Sequence, residues 1–462
     1  TSKESAVELI NEALRVPLAD DEKEELVTAL ERIGKDSIQA RTYASVQRGL
    51  STRSETVDVE GWTKSMSGSQ YPAAALDEAT VAARLNRLGE IYSKEDDLKG
   101  RLELAEAFLA SADQKNASGD FGVSRTMIDA LYDDARNAAL EAEKLGGEGW
   151  RVNAVLAAAN WRLGDLDEAY RRAEMAVGDL PGNPDGETAM IALGLFAEHR
   201  SRQVWKAVRA KQDWPSKWVT DVNAAYAILA KHPFGTADQV VAHCDFLKAF
   251  GAAGQADRAL DAGLARFPDS PELHERLRGR IFRDGGVDAI EGVYAKMIAR
   301  DDAHPSLPWF AGYASLVVAE FHRRNGESDA ARDAYDRAIV HFEDAIAKNS
   351  ETQATSDHFI HIAHAGMARV ALEKKEWSAS LAQIIAAFER NPASSNIPDG
   401  LNITAVETAK MLLGALKTNG MDDLAQTLET AMQQLDPALL ELRPFERPVG
   451  PPRGRDGRPR RQ

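Results

Sequence analysis

Apolar positions along this chain recur with the period of a helix, and the runs come in pairs separated by a repeated punctuation. The stretch Gly164-Asp165-Leu166-Asp167-Glu168-Ala169 ends one run and starts another. Glycine breaks the first helix, and Asp165 or Asp167 can cap the second. Ala173 and Ala176 continue on the same strip, and Pro181 closes the pair. The same order appears in Gly326-Glu327-Ser328-Asp329-Ala330-Ala331 with Tyr335 and Ala338 behind it. It returns in Lys375-Glu376-Trp377-Ser378-Ala379-Ser380 with Ala387 and Pro392, and in Gly420-Met421-Asp422-Asp423-Leu424-Ala425 with Pro437. A shorter version runs from Gly254-Gln255-Ala256-Asp257-Arg258-Ala259 to Pro268.

Five helical pairs follow from these signals, at roughly 150–184, 240–268, 312–349, 361–392 and 406–437. Two degenerate pairs fall between them, at 187–232 and at 271–303, the latter turning at Asp284-Gly285-Gly286. Alanine at each crossing lets two helix axes approach closely. This spacing of small residues, turn glycine and closing proline resembles the tetratricopeptide repeat family, whose unit is a helix–turn–helix of about 34 residues. The family's Trp, Leu, Gly and Tyr in the first helix are mostly absent, and the spacing between pairs is uneven. The resemblance therefore implies an all-α solenoid of about seven hairpins with unequal helices.

Residues 1–149 read as a helical N-terminal region. Leu26, Val27, Leu30 and Ile33 make one apolar face. Helices are expected near 4–16, 20–34, 36–50, 77–93, 97–115 and 124–146, with a Ser/Thr-rich loop at 51–71 and a turn at 116–120. The repeat domain is expected at 150–437. From 438 to 462 the chain is an Arg/Pro-rich tail, expected to be disordered when unbound.

Charge narrows the partners. The net charge is −16, yet the tail from Pro437 carries seven Arg against Glu441, Glu446 and Asp456. The body is thus more acidic than the whole, which speaks against broad nucleic-acid binding except through the tail. One cysteine, Cys244, rules out an internal disulfide and a cysteine-based zinc site. No apolar run approaches a membrane span. A cytoplasmic protein is the expectation. The chain begins at Thr1 rather than Met, which leaves an exported protein with a removed signal as the alternative.

Catalytic signals are scarce. There is no phosphate-binding loop of the Gly-rich, Lys-Ser/Thr type, and no nucleophile elbow. Cys244 lies among apolar neighbours and reads as a buried structural thiol. His358, His361 and His364 are spaced three apart on one helix, but the first and third lie about 240° apart around it, so all three cannot hold one ion. No catalytic residue, metal or cofactor is expected.

The resemblance implies that the first helix of each pair lines a concave groove. Register from the turns selects Arg151, Trp161 and Arg162, then Lys248, then Tyr313, Arg323 and Arg324, then Arg369, then Lys410 and Lys417. Glu320, Glu373 and Glu407 fall in the same register. Eight basic residues against three acidic ones reverse the average charge of the chain. The implied function is a protein-interaction scaffold or adaptor that takes a peptide or helix, of acidic character, in a locally basic groove. The rival is a sensor module with a small ligand between helices. A second basic strip, Arg200, Arg202, Lys206, Arg209 and Lys211 with Trp205, Trp214 and Trp218 nearby, reads as core tryptophans with solvated charges.

Overall fold

The computed structural model describes residues 3–14, 18–57, 59, 98–118, 124–147, 149–178, 187–210, 212–397, 401 and 403–441. All regular structure among the described residues is helical. The expected helix at 77–93, most of the 51–71 loop, Gly119 and Asp120, Pro181, Lys211 and the tail beyond residue 441 lie outside the described residues.

Two units divide the chain between Gly263 and Leu264. The first holds α1 (Lys3–Ala13), α2 (Asp20–Gly34), α3 (Ile38–Ser51), α4 (Leu98–Ser118), α5 (Arg125–Lys144), α6 (Trp150–Leu163), α7 (Leu166–Gly178), α8 (Glu187–Arg209), α9 (Ser216–Leu229), α10 (Ala237–Ala249) and most of α11 (Ala253–Arg266). The second holds α12 (Pro271–Gly285), α13 (Asp288–Ile298), α14 (Leu307–Arg324), α15 (Ser328–Lys348), α16 (Gln353–Glu373), α17 (Trp377–Arg390), α18 (Ala405–Thr418) and α19 (Asp422–Gln433).

The punctuation read from the sequence makes the turns. Gly164 ends α6 in the left-handed conformation, at φ 88°, and the Asp165 amide donates back to the Asn160 carbonyl at 2.9 Å. Asp165 Oδ1 then accepts from the Glu168 amide at the start of α7. Ser270 caps α12 ahead of Pro271, and Thr404 caps α18, each accepting a backbone N–H that the first turn leaves unpaired. Alanine fills the crossings. Ala169, Ala173 and Ala176 of α7, and Ala331, Ala334 and Ala338 of α15, are fully buried.

In the second unit the hairpins are α12/α13, α14/α15, α16/α17 and α18/α19. Their first helices form a row in which α12 meets α14, α14 meets α16 and α16 meets α18. Second helices α13, α15 and α17 each also pack on the first helix of the next hairpin. That is the nearest-neighbour stacking of a helical solenoid. The first unit repeats the arrangement. Hairpins α4/α5, α6/α7 and α8/α9 stack in order, with α4, α6, α8 and α10 as the first-helix row.

The N-terminal helices have a separate place in the first unit. Rather than continuing the row, α3 packs along α9, about 170 residues further down the chain. The Gly49 carbonyl accepts from Thr220 Oγ1 at 3.1 Å, Ser54 Oγ donates to buried Asp221 at 2.9 Å, and Val46 and Val57 enter the α8–α9 core.

Candidate partner-binding surface

Helix α14 is buried on most sides by α12, α13, α15 and α16. One stripe escapes. Trp309, Tyr313, Val317 and Phe321 fall four apart, so each neighbours the next in a stripe that drifts about 120° around the helix, and each keeps part of its surface in solvent. Along the helix the stripe runs about 18 Å, at 1.5 Å per residue. At its start Trp309 stacks on Tyr313 with ring centroids 6.1 Å apart, and Phe359 of α16 sets its edge against both. The Arg278 guanidinium of α12 lies over the Tyr313 ring at 4.8 Å. At the far end Phe321 is 38% exposed and Phe282 of α12 is 49% exposed. They meet edge to face at 5.9 Å. Large exposed aromatics touching each other across two helices form a patch, which single scattered apolar residues do not.

Beneath the stripe lies a buried ion network. Glu320 is 2% exposed. Arg323 grips it with two hydrogen bonds, at 2.8 and 3.0 Å, and reaches Glu373 of α16 at 2.7 Å. Arg324 adds a longer contact at 3.3 Å and donates to the Leu401 carbonyl at 2.7 Å. Tyr335 of α15 donates its hydroxyl to the same carboxylate. Burial alone would raise the Glu320 pKa, but Arg323, Tyr335 and Arg324 together hold it below the usual carboxylate value. Burial and the adjacent Glu320 charge push the Tyr335 phenol well up, so it stays a donor. The tyrosine reaches Glu320 because α16 carries Gly366 where the ring passes: a β-carbon there would stand 2.3 Å from Tyr335 Cζ.

The other residues selected by register are tied down in the same way. Arg369 faces Glu407 at 3.7 Å, Lys417 pairs with Glu429 at 2.6 Å, and Lys410 donates to the Leu440 carbonyl at 2.6 Å. In the first unit Arg151 makes a two-point contact with Glu106, and Arg162 makes one with Asp113. Arg162 also stacks on Trp161 at 4.1 Å. Lys248, on α10, is half-buried. The structure thus brings Tyr313, Arg323 and Arg324 to one surface, and sets Trp161 and Arg162 together elsewhere. Their carboxylate partners come from neighbouring helices, α4 and α16 among them, which counting within one repeat overlooks.

Phe282 and Phe321 escaped the sequence reading. Phe282 sits in the degenerate pair at 271–303, where no register was assigned. The four-residue spacing of Trp309, Tyr313, Val317 and Phe321 was the available signal.

Charge is nevertheless sorted between the rows. Helices α12, α14, α16 and α18 carry nine Lys and Arg against seven Asp and Glu. Their partners α13, α15, α17 and α19 carry five against eleven. In the first unit α4, α6, α8 and α10 carry ten against seven, and α5, α7 and α9 six against nine.

Three histidines on α16 serve packing. Nδ1 of His358 meets Ser394 Oγ, that of His361 meets the Ala387 carbonyl, and that of His364 meets Gln383 Oε1. Cys244 is buried, its Sγ 3.4 Å from the Ala256 carbonyl. In the basic strip Arg200 and Arg202 pair with Glu174 and Glu198, while Trp205 stacks on Phe250 at 4.6 Å. A shallow cleft of about 220 Å³ opens at the α13–α14 turn beside His304, Pro305 and Lys348. Among the described residues no helix is long and apolar enough to cross a membrane.

No known family model and no curated protein matches the chain. Among solved structures it is similar to the human IFIT1 dimer with m7Gppp-AAAA, at 14% identity and a TM-score of 0.21, over 78% of this chain and 95% of that one. It is similar also to the human IFIT1 dimer with PPP-AAAA, at 13% identity and a TM-score of 0.21, over 81% and 99% of the two chains. A TM-score that low carries no argument about this chain, whose all-helical solenoid is established by its own hairpins.

Proposed function

We propose that this chain is a helical-repeat scaffold without catalysis of its own, and that it holds a segment of a partner protein on the first-helix face of its second unit. The observation that carries the reading is the exposed Phe282–Phe321 pair at the end of the α14 stripe. Desolvating such rings on a preformed surface is what gives interface anchors their weight. Tyr313 and Arg324 complete the surface, Arg324 with 57% of its side chain exposed. Arg323 acts from below by fixing Glu320 and Glu373. In the first unit the same role falls to Trp161 with Arg162, and to Lys248. The sign of the row, basic within a chain of −16, favours an acidic partner and speaks against general affinity for nucleic acid.

Affinity capture tests the reading, with the intact chain compared to a Phe282→Ser, Phe321→Ser double variant of equal helicity and melting temperature. Phe282 is 49% and Phe321 38% exposed, and the equal helicity and melting temperature required of the variant show that its fold is kept. The reading expects a partner on the intact chain to be lost from the variant. Identical partners on both would overturn it.

A further inference from the structure

A charge is buried where the N-terminal helices meet α9. Val46, Gly49 and Val57 make the apolar part of that contact, with Val219 and Val222 on the α9 side. Asp221 stands among them and is 1% exposed. Its Oδ1 accepts from Ser54 Oγ at 2.9 Å, while its Oδ2 is buried and makes no hydrogen bond. Ser54 Oγ also accepts from the Val57 amide at 2.9 Å and from the Thr56 amide at 3.2 Å. The 52–57 segment therefore folds around Ser54 and is tied to α9 through this carboxylate.

Among the described residues no ion pair compensates it. Lys217, one turn earlier on α9, is exposed, and Arg200 of α8 is turned to Gln203 at 2.7 Å and Glu174 at 3.4 Å. Burial raises the Asp221 pKa above 3.8, and the Ser54 and Thr56 hydroxyls, Lys217 and Arg200 oppose the rise without cancelling it. The other charges around the contact face elsewhere. Arg53 and Glu55 beside Ser54 are exposed, Arg48 is held by Glu24 and Glu31 of α2, and His243 of α10 meets Asn223. Charging a buried carboxylate without an ion pair is costly, and the cost disappears once water reaches it. Lifting the 52–57 segment off α9 admits that water.

We infer that Asp221 is a proton-sensitive latch for the N-terminal helices: α3 and the 52–57 segment stay on α9 while the carboxylate is neutral, and open more often once it carries charge. The latch lies in the first unit and does not depend on the surface proposed on α14. A carboxyl whose pKa is higher docked than undocked contributes fully to docking below 3.8, and the contribution is lost as pH rises through the docked value. The buried histidines act in the opposite sense on the whole fold, which weakens as pH falls. Local and global opening therefore move apart with pH. What the latch uncovers is apolar: Val46 and Val57 leave the α8–α9 core, and Val219 and Val222 meet solvent.

Hydrogen exchange of the full chain between about pH 4 and pH 7, corrected for the intrinsic rate at each pH, tests the latch. Protection over 38–57 should fall by at least about three-fold across that range, since each pKa unit gained on docking is worth a factor of ten in opening. Asp221→Asn, which cannot ionise, should abolish the fall and leave these residues better protected than the intact chain at pH 7. Ser54→Ala removes a hydrogen bond that favours the charged form, so the fall should move to higher pH. Carbon NMR of labelled aspartate gives a second reading that needs no asparagine variant to fold. The Asp221 carboxyl should titrate above 3.8 in the intact chain and return toward 3.8 in Gly49→Leu, where a side chain has no room against Val219. Protection over 38–57 that ignores pH, or that changes equally in Asp221→Asn, would overturn the inference. So would an Asp221 titration that Gly49→Leu leaves in place.

Discussion

Gly366 and Tyr335 occupy one space: a β-carbon on Gly366 would lie 2.3 Å from Tyr335 Cζ and 2.5 Å from its hydroxyl oxygen. Tyr335 is fully buried on α15, and its hydroxyl ends on the Glu320 carboxylate of α14. Three successive helices are thus locked by one ring, and the glycine is what admits it. The network it completes holds Arg323, and through Arg323 the end of the α14 stripe.

Replacing Gly366 by Ala should therefore displace the ring rather than simply tighten the packing. Overpacking costs about 1–3 kcal/mol, and stranding a buried carboxylate partner adds about 1–3 kcal/mol. Chemical denaturation should show a loss of roughly 3 kcal/mol in the second unit. Tyr335→Leu removes both the ring and the donor, so Gly366→Ala in that background should cost little. Additive losses in the double variant would separate the two residues.

Lys375 is the non-glycine residue described with positive φ, at 60°, where the corresponding turns use Gly164, Gly326 and Gly420. A side chain in that conformation costs about 1–2 kcal/mol, and glycine returns part of this as chain entropy of about 0.5–1 kcal/mol. Lys375→Gly should raise stability by about 0.5–1 kcal/mol, read as a shift in denaturation midpoint at constant slope. Stability lowered by about 0.5–1 kcal/mol would mean that the turn bears no strain, because only the entropy cost of glycine would then remain.

His243, His274 and His361 are buried, and burial lowers each imidazole pKa from 6.5 to about 4. Between those values the unfolded chain binds protons that the folded chain refuses. Stability is then fully present above about pH 6.5 and falls as pH drops toward 4. Each shift corresponds to something on the order of 3 kcal/mol over that window. Midpoints at pH 7, 5.5 and 4.5 should decline steadily. His274, whose Nε2 donates to the Pro268 carbonyl and whose Nδ1 accepts from the Tyr294 hydroxyl, and which stacks on Phe310 at 3.7 Å, should account for part of the slope. His274→Gln should lower stability at pH 7 and flatten its pH dependence, and a slope unchanged in that variant would exclude His274 as a source.

The helical hairpins were legible because their signals are local. A glycine with an acidic cap behind it stops one helix and starts the next within six residues, as at Gly164–Ala169. Alanine at the crossings is equally direct. The site was less legible because charge pairing is not local. Arg151 and Arg162 read as open groove residues, yet Glu106 and Asp113 come from α4, some fifty positions earlier. Arg323 read as a ligand contact, while Glu320 and Glu373 turn it into a structural clamp. Phe282 lay in a pair too degenerate to align, so its meeting with Phe321 needed three dimensions. The docking of α3 on α9 was invisible for the same reason: nothing in the periodicity of 38–51 names a partner so far along the chain.

That docking makes its own prediction. A β-carbon on Gly49 would stand 2.9 Å from Val219, so α3 lies on α9 with no room for a side chain there. The close approach lets the Gly49 carbonyl accept from Thr220 and carries Ser54 to Asp221, whose burial raises its pKa. Gly49→Leu should pry α3 from α9 at a cost of about 2–3 kcal/mol. Hydrogen exchange should then quicken by roughly thirty-fold or more across residues 38–57, since local opening sets the rate there. Amides of α14 to α19 should keep their protection, because they belong to the other unit. Ser54→Ala, which removes the hydrogen bond to Asp221 and those from the Thr56 and Val57 amides but leaves the Gly49–Val219 packing intact, should give a smaller rise over the same residues. Exchange in 38–57 that is indifferent to both changes would show that the N-terminal helices draw their stability from their own bundle and not from α9.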